Sequence, residues 1–192
     1  MLYFSFDIEA DGPSPATNSM LGFALVVFDQ DGNVLGTFER NILPLDGHQQ
    51  DPDTIQWFKL PQNIDAYNYL ATNQVSAYDF IRDLVSFIGL YADQPKKWIA
   101  APSAYDWQWL NYYYFAFYPP VAEMPFVKLA FKAECISSYF TQYTTMKKMT
   151  RDQSTQLWKD LAGECVHTHK ALDDAMEQGI VFIRLMKLVS SL

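Results

Sequence analysis

The fold is decided by residues 1–43, which have the sequence MLYFSFDIEADGPSPATNSMLGFALVVFDQDGNVLGTFERNIL. Met1–Glu9 predicts a strand, and Met20–Asp29, rich in Leu, Val and Phe, predicts a second one after a turn-rich loop. The tetrad Gln30–Asn33, QDGN, is typical of a hairpin turn and leads into a third predicted strand, Val34–Leu43. We therefore expect an antiparallel three-stranded meander at the start of the chain.

Helical patterns dominate the rest of the chain. Asp51-Pro52 is a favourable pair for a helix start and predicts a short helix through Trp57 and Phe58. A longer helix begins near Ser76, where one apolar stripe recurs at helical spacing. The stripe consists of Ala77, Phe80, Ile81, Leu84, Val85, Ile88 and Tyr91.

The later elements alternate between the two types. They are a predicted strand at Lys97–Ala101, a helix at Asp106–Phe117, a strand at Phe126–Phe131, a helix at Ala133–Thr144, and a final helix from His169 to Ser190. A meander followed by alternating helices and strands is typical of an α/β domain. We expect one such domain over residues 1–192, with a mixed sheet of the meander and parallel strands, flanked by helices.

Composition limits the class of protein. A chain of 192 residues that is 49% hydrophobic can build one full-sized core but not two ordinary domains. Its two cysteines, Cys135 and Cys165, are far apart, which argues against a disulfide scaffold and against a thiolate zinc site. No basic segment precedes Asp7 and no apolar run has the length of a membrane span, so we expect a cytoplasmic protein without a signal peptide or membrane contact.

The net charge is −8, which disfavours a protein that grips many phosphates of a long duplex. An enzyme that takes only the end of a strand needs few phosphate contacts, and bound metal ions can supply positive charge locally. An end-trimming nuclease is therefore compatible with this charge.

Two acidic side chains lie at the end of the first predicted strand. Residues two apart in a strand share a face, so Asp7 and Glu9 project together where α/β sheets tend to place ligands. Two carboxylates on one face repel unless a cation lies between them, and hard divalent ions prefer oxygen ligands. A solvated strand end would explain the same D-x-E pattern, so the pair gains meaning only with further acids.

Two later stretches supply further candidates. In WIAAPSAYDWQWL a short predicted strand turns into an aromatic helix with Asp106 at its start, where aspartate is also a common N-cap. In HTHKALDDAMEQG, His169 precedes the adjacent acids Asp173 and Asp174. A histidine beside carboxylates can take a proton from water near neutral pH, although a histidine at a helix start is often only structural.

Helical spacing separates the two adjacent aspartates. From Asp174 the spacing gives Gln178, Val181, Leu185 and Leu188, a stripe that becomes apolar. From Asp173 it gives Glu177, Ile180, Arg184, Lys187 and Ser191, a mostly polar stripe. We therefore expect Asp174 to face the site, and the stripe of Asp173 to face water.

Together these stretches resemble the DEDDh family of 3′→5′ exonucleases, in the ribonuclease H-like superfamily. FDIEADGP matches the first motif of that family, APSAYDWQWL resembles the second with Tyr105 where phenylalanine is commoner, and HKALDDA matches the third. The motifs occur in the order of the family and span nearly the whole chain. The run Ala10-Asp11-Gly12 departs from the pattern, because many members have threonines there near the 3′ end of the substrate.

The resemblance implies a ribonuclease H-like fold and hydrolysis assisted by two divalent ions, Mg²⁺ or Mn²⁺, about 4 Å apart. It implies that Asp7 bridges the ions, Glu9 and Asp174 hold the ion that activates water, Asp106 serves the leaving-group ion, and His169 is the general base. The implied product is a nucleoside 5′-monophosphate from the 3′ end of single-stranded RNA or DNA. Resemblance to small stand-alone members favours RNA or short oligonucleotides and suggests a homodimer.

Two alternatives remain open at this point. A ribonuclease H-like endonuclease or other phosphodiesterase would use the same metal-site chemistry, but it would cut a circular strand. A nucleic-acid-binding relative without activity is disfavoured because all five expected catalytic groups are present.

Residues that contact the substrate are less clear from the sequence. Trp57, Phe58 and Trp107 are candidates for stacking on bases, although most aromatic residues must belong to the core. Lys147, Lys148 and Arg151 form a basic cluster in a predicted loop, where a solvated loop is favoured over phosphate contact. For His48 and His167 the sequence indicates no partner.

Overall fold

The computed structural model describes residues 1–120, 127–130 and 132–190, and a five-stranded mixed sheet lies at its centre. The strands are β1 Leu2–Ala10, β2 Met20–Phe28, β3 Val34–Asn41, β4 Lys96–Ala100 and β5 Ala133–Cys135. Their order across the sheet is β3-β2-β1-β4-β5. The first three strands pair antiparallel, while β4 pairs parallel with both β1 and β5. The predicted α/β fold, with a meander extended by parallel strands, is therefore confirmed.

The turn between β2 and β3 is held by one side chain. Asp29 Oδ1 accepts hydrogen bonds from the backbone N–H groups of Asp31, Gly32 and Asn33, at 2.8, 2.9 and 2.9 Å. Gly32 has a φ of 96°, a conformation that glycine adopts at little cost. The predicted hairpin is thus present, and its geometry depends on residues within the turn itself.

The helices flank the sheet, and none in the described ranges is both long and apolar enough to cross a membrane. They are α1 Pro52–Phe58, α2 Ile64–Leu70, α3 Ala77–Gly89, α4 Ser103–Phe117, α5 Ile136–Met146, α6 Arg151–Ala162 and α7 Ala171–Ser190. Two predicted helix starts are confirmed in detail, since Asp51 and Ser76 accept hydrogen bonds from the backbone N–H groups of Thr54 and Asp79. The helices α2 and α6 were not predicted from the sequence.

The predicted strand at Phe126–Phe131 is wrong within the described residues. The segment 127–130 is not part of a strand, and the parallel strand β5 lies later, at Ala133–Cys135. Phe126 and Phe131 themselves lie outside the described residues. Periodicity alone favoured the apolar segment, whereas β5 is short and only half-buried, so its place depends on pairing with β4.

The two faces of β1 pack against different layers. Phe4, Phe6 and Ile8 lie in the core that includes residues of α3 and α4, such as Phe80 and Trp109. The alternate residues face the other layer, where α7 packs on the sheet with a core that includes residues of β2 and β4. Because Asp7 and Glu9 lie on this second face, the strand directs both carboxylates towards α7.

The close approach of α7 to the sheet depends on a glycine. A Cβ added to Gly179 would overlap the Phe28 ring and come within 2.9 Å of Ser5 Cβ. A larger residue would therefore push α7 away from β1 and β2. This close packing brings the first turn of α7, which carries Asp174, over the end of β1.

Candidate active site

Three carboxylates from distant parts of the chain meet where β1 ends. Asp7 and Glu9 come from β1 and Asp174 comes from the first turn of α7. One carboxylate oxygen from each of the three lies within 4.8 Å of the other two, and all three residues are buried. We call these residues the carboxylate cluster.

Asp106 lies close enough to this cluster to act on it electrostatically. It occupies the first turn of α4 and is not the N-cap, a position held by Pro102. The Asp106 side chain is buried, and its Oδ2 has no hydrogen-bond partner among the described residues. A buried acceptor without a partner is costly unless a cation or water satisfies it, so Asp106 suits a ligand role better than a capping role.

The electrostatics of the cluster favour a bound cation. Burial raises the pKa of Asp7, and the charges of Asp106 and Asp174 raise it further. Burial and the charge of Asp7 likewise raise the pKa of Glu9. Burial is the main reason why the pKa of Asp106 is raised to about 8 and that of Asp174 to about 6. Divalent cations stabilise such buried carboxylates in the charged form, and an all-oxygen donor set fits Mg²⁺ or Mn²⁺.

The chain leaves β1 through an irregular turn. The β1–β2 register shifts between Glu9 and Ala10, and the Ser19 backbone N–H then donates to Asp11 Oδ1. The Tyr105 hydroxyl donates to the Gly12 carbonyl oxygen at 3.0 Å. Two residues that differ from the family pattern, Asp11 and Tyr105, therefore hold this loop against the sheet and α4.

His169 lies at the rim of the cluster. Its Nδ1 is 4.0 Å from Asp174 Oδ2, and its backbone has a φ of 58°, an uncommon conformation for a residue other than glycine. The Trp57 ring contacts the His169 ring edge to face, with centroids 4.7 Å apart. Burial and the neighbouring His167 lower the pKa of His169, so its imidazole is neutral at neutral pH and can accept a proton.

His167 has partners that the sequence did not indicate. Its Nδ1 lies 3.0 Å from Glu177 Oε2 and 3.3 Å from Asp174 Oδ1. Glu177 also accepts a hydrogen bond from Trp158 Nε1, at 2.9 Å. The hydrogen bond with Glu177 raises the pKa of His167, in contrast to His169. His167 is therefore less suited than His169 to accept a proton from water.

The prediction for the two adjacent aspartates is confirmed in position. Asp174 is 2% exposed and accepts a hydrogen bond from the Thr168 backbone N–H, whereas Asp173 is exposed and bonds the Thr168 hydroxyl. One member of the predicted polar stripe, Glu177, is buried instead of facing water. The reason is α6, which packs on α7 and places Trp158 over Glu177.

The sequence of this chain matches a known family of exoribonuclease domains. A family model described as the 3′-5′ exoribonuclease Rv2179c-like domain matches residues 3–185. The chain belongs to this family. No curated protein matches the sequence. The description of this family, a 3′-5′ exoribonuclease domain, agrees with the resemblance of the three sequence motifs to 3′→5′ exonucleases.

Solved structures share the fold of this exoribonuclease domain at low sequence identity. Cell-death related nuclease 4 (CRN-4) has a TM-score of 0.61 and 14% identity, with 97% of this chain and 63% of that chain covered. A 3′-exonuclease described in 3′-end-specific recognition of a histone mRNA stem-loop has a TM-score of 0.63 and 17% identity, with 97% of this chain and 81% of that chain covered. Pop2p of S. pombe, in a Mg²⁺- and Mn²⁺-bound form, has a TM-score of 0.61 and 17% identity, with 96% of this chain and 82% of that chain covered. The domain thus spans less than two thirds of the nuclease 4 chain.

One further residue of the exonuclease domain contacts the cluster directly. Gln178, one turn after Asp174, donates from Nε2 to Asp7 Oδ1 at 2.7 Å. Its Oε1 accepts from the Ala101 backbone N–H, just after β4, at 2.8 Å. Gln178 therefore fixes the orientation of the Asp7 carboxylate and joins α7 to β1 and to the end of β4. The sequence placed Gln178 on the inward stripe of α7 but did not indicate this contact.

We expect Gln178→Ala to weaken metal-dependent activity, because loss of an outer partner of a metal ligand typically costs roughly 10–100-fold in metal affinity or activity. The measurement is the Mg²⁺ concentration that gives half-maximal rate, together with kcat at saturating Mg²⁺. Gln156→Ala is the matched control, since Gln156 is exposed and its side chain donates a hydrogen bond to Asp160, on the same helix. Equal Mg²⁺ dependence in both variants would show that Gln178 does not position Asp7.

The residues named as substrate contacts lie in different environments. Of the three aromatic candidates, only Trp57 is both exposed, at 39%, and in contact with a residue of the site. Phe58 is buried, and Trp107 packs against Phe6 and Trp98 in the core. The predicted basic loop is partly helical, because Arg151 is the first residue of α6. A capping box of Thr150 and Gln153 starts this helix and was a usable sequence signal.

Proposed function

We propose that this chain removes nucleotides one at a time from the 3′ end of single-stranded RNA and releases nucleoside 5′-monophosphates. In this proposal Asp7, Glu9, Asp106 and Asp174 hold two Mg²⁺ or Mn²⁺ ions, and His169 is the general base. The observation that carries the proposal is the buried carboxylate cluster with a neutral histidine beside it. RNA is the proposed substrate because the family is one of exoribonucleases and one structural neighbour is described with an mRNA stem-loop.

Bound divalent ions supply positive charge for the attacking and leaving oxygens and lower the pKa of a bound water. The residues of this chain have separate tasks around that charge. Asp7, with Oδ1 held by Gln178, keeps a fixed orientation. Asp106, on α4, offers its Oδ2, which has no hydrogen-bond partner in the part of the chain that the structure describes. The DEDDh resemblance implies that two ions would be held by these four carboxylates.

His169 is placed to receive the proton of the attacking water. Its side chain is 30% exposed, so water reaches it, while the Trp57 contact limits its motion. As water attacks phosphorus, the bond to the 3′ oxygen breaks, an imidazole nitrogen of His169 takes the proton, and the leaving oxygen takes a proton from solvent. The products are a 5′-monophosphate and a strand one nucleotide shorter.

Trp57 also supports the choice of a single strand. It lies beside the proposed base with part of its ring exposed, and an aromatic ring in that place can stack on an unpaired base without sequence preference. The acidity of the chain agrees with recognition of a strand end rather than a long duplex.

The decisive experiment follows products of a 5′-labelled single-stranded RNA by length. We expect a ladder that shortens from the 3′ end in Mg²⁺ or Mn²⁺, and complete loss of activity in EDTA, because the carboxylates need bound ions to act. A circular RNA of the same sequence is the matched control and should stay intact.

Cleavage of the circle would favour the ribonuclease H-like endonuclease instead. Products formed in EDTA would contradict a role for the carboxylate cluster. A DNA strand of the same sequence tests the sugar preference, and faster cleavage of the DNA would reverse the proposed substrate class.

A further inference from the structure

A second group of metal-binding side chains lies next to the carboxylate cluster. His167, His169 and Asp174 each offer one ligand atom, and these atoms all lie within 4.8 Å of one another. The two imidazole rings are nearly perpendicular, at 84°, with centroids 4.6 Å apart. The group shares Asp174 with the carboxylate cluster, but its other donors are nitrogen atoms.

We propose that His167, His169 and Asp174 bind Zn²⁺ or a similar transition-metal ion at a site that adjoins the Mg²⁺ or Mn²⁺ site and shares Asp174 with it. Imidazole nitrogen suits Zn²⁺, whereas sites made only of carboxylate oxygens suit Mg²⁺ and Mn²⁺. Two histidines, one carboxylate and a water are a common tetrahedral set for zinc. The two kinds of donor therefore give the neighbouring sites opposite metal preferences.

The contact between His167 and Glu177 fixes the position of the His167 imidazole next to Asp174. A histidine that binds a metal usually donates its other ring N–H to a carboxylate, which fixes the ring and increases the basicity of the ligand nitrogen. Glu177 Oε2 lies 3.0 Å from His167 Nδ1, which is also 3.3 Å from Asp174 Oδ1, so Glu177 holds the His167 ring beside the shared carboxylate. Glu177 in turn accepts a hydrogen bond from Trp158 Nε1, which fixes the position of its carboxylate.

The site is also open to ions from solution. The His167 side chain is 52% exposed and the His169 side chain 30%, while Asp174 lies behind them at 2%. An ion can therefore approach from solvent and meet the two imidazoles before the buried carboxylate.

Zinc at this site inhibits the exonuclease, an inference that rests on the proposed role of His169. A bound Zn²⁺ occupies the nitrogen lone pair of His169 that would accept the proton of water. It also withdraws Asp174 from the carboxylate cluster. Micromolar transition metal would thus stop an enzyme that Mg²⁺ activates.

Zinc binding is tested by titrating EDTA-treated, desalted protein with Zn²⁺ against a chromophoric chelator, in excess Mg²⁺ that competes with Zn²⁺ for the oxygen atoms of Asp7 and Glu9. We expect one Zn²⁺ bound per chain. His167→Asn should weaken this binding by about 100-fold, since removal of a ligand costs at least the upper end of the roughly 10–100-fold seen for outer partners. The Zn²⁺ affinity of Glu177→Gln should lie between that of the wild type and that of His167→Asn. Co²⁺ should give the visible absorption of a tetrahedral complex in the wild type and not in His167→Asn.

Two variants serve as matched controls. His48→Asn changes the third histidine, whose Nδ1 contacts the Asn18 carbonyl oxygen away from this group. Cys165→Ser removes a thiol two residues before His167 that does not belong to the group. Both should bind Zn²⁺ like the wild type, and circular dichroism should show all variants folded. Equal zinc affinity of His167→Asn and wild type, or loss of binding with Cys165→Ser, would overturn the site.

Activity gives a second readout. Micromolar Zn²⁺ in excess Mg²⁺ should inhibit RNA cleavage by the wild type and inhibit His167→Asn much less, relative to the zinc-free rate of each protein. Tight binding without inhibition would overturn the competition with His169. The titration needs no turnover, so a chain that binds Zn²⁺ but never cleaves RNA would refute the proposed function and leave the site intact.

Discussion

Asp174→Asn should abolish exonuclease activity while leaving the fold intact. The substitution keeps the shape of a side chain that is 2% exposed, and an amide oxygen can still accept the hydrogen bond from the Thr168 backbone N–H. It removes a negative charge from the carboxylate cluster, and metal ions supply several kcal/mol of transition-state stabilisation. At 1.36 kcal/mol per factor of ten, we expect a loss of kcat of about 10³-fold or more.

Asp173→Asn is the matched control, because Asp173 is adjacent in sequence but exposed. Surface substitutions of this kind usually change stability by less than about 0.5 kcal/mol, and we expect nearly wild-type activity. An inactive Asp173→Asn variant together with an active Asp174→Asn variant would show that the motif alignment is wrong by one residue.

Thermal unfolding separates a catalytic effect of Asp174→Asn from a folding defect. In EDTA the variant should be at least as stable as the wild type, because burial raises the pKa of Asp174 to about 6, so that holding this carboxylate charged at neutral pH destabilises the folded wild type. Added Mg²⁺ should raise the Tm of the wild type by binding the native state, and raise that of the variant much less. A large drop of Tm in EDTA would instead indicate a structural role.

His169→Ala should lower kcat by roughly 10²–10⁴-fold, the usual contribution of a general base. The imidazole is neutral at neutral pH because burial and His167 lower its pKa, and it lies at the open rim of the cluster. Since His169 is not proposed as a ligand for Mg²⁺, the Mg²⁺-dependent rise in Tm should remain. Single-turnover assays on 5′-labelled RNA, at saturating Mg²⁺, measure the effect.

His167→Ala is the comparison that decides between the two histidines. We expect a smaller loss of kcat, because the hydrogen bond with Glu177 raises the pKa of His167 and occupies its Nδ1. A greater loss with His167→Ala than with His169→Ala would assign the base to His167. Wild-type activity in His169→Ala would remove that residue from the mechanism.

The elements that the sequence predicted correctly are those fixed by nearby residues. The alternation of β1 directs Asp7 and Glu9 to one face, and Asp29 holds the hairpin through N–H groups two to four residues away. The start of α3 depends on Ser76 and Asp79, three residues apart. Such interactions form within a few residues, so the local pattern is sufficient to predict them.

The elements that were missed depend on packing between distant segments. The helix α6 has a mostly polar surface and packs on α7, so its apolar stripe is short. The strand β5 has three half-buried residues and is defined by its parallel pairing with β4. Neither α6 nor β5 has a strong hydrophobic periodicity in its sequence, and the capping box of α6 was the clear local signal.

By itself, the sequence determined the class of the protein and the identity of its proposed site residues. Asp7, Glu9, Asp106, His169 and Asp174 were identified from motif order and spacing, because the chemistry of a metal-dependent exonuclease restricts which residue types occur there. The helical phase of α7 also distinguished Asp174 from Asp173, since burial follows the 3.6-residue period.

Only the tertiary structure decided how those residues are held and what surrounds them. The contact of Gln178 with Asp7 joins residues 171 positions apart, and Glu177 is buried because α6 covers it. The partners of His167, and with them the proposed zinc site, arise where the loop before α7 meets the buried face of that helix. No local pattern records such contacts, because they exist only after the packing of α6 and α7 on the sheet has brought distant side chains together and removed them from water.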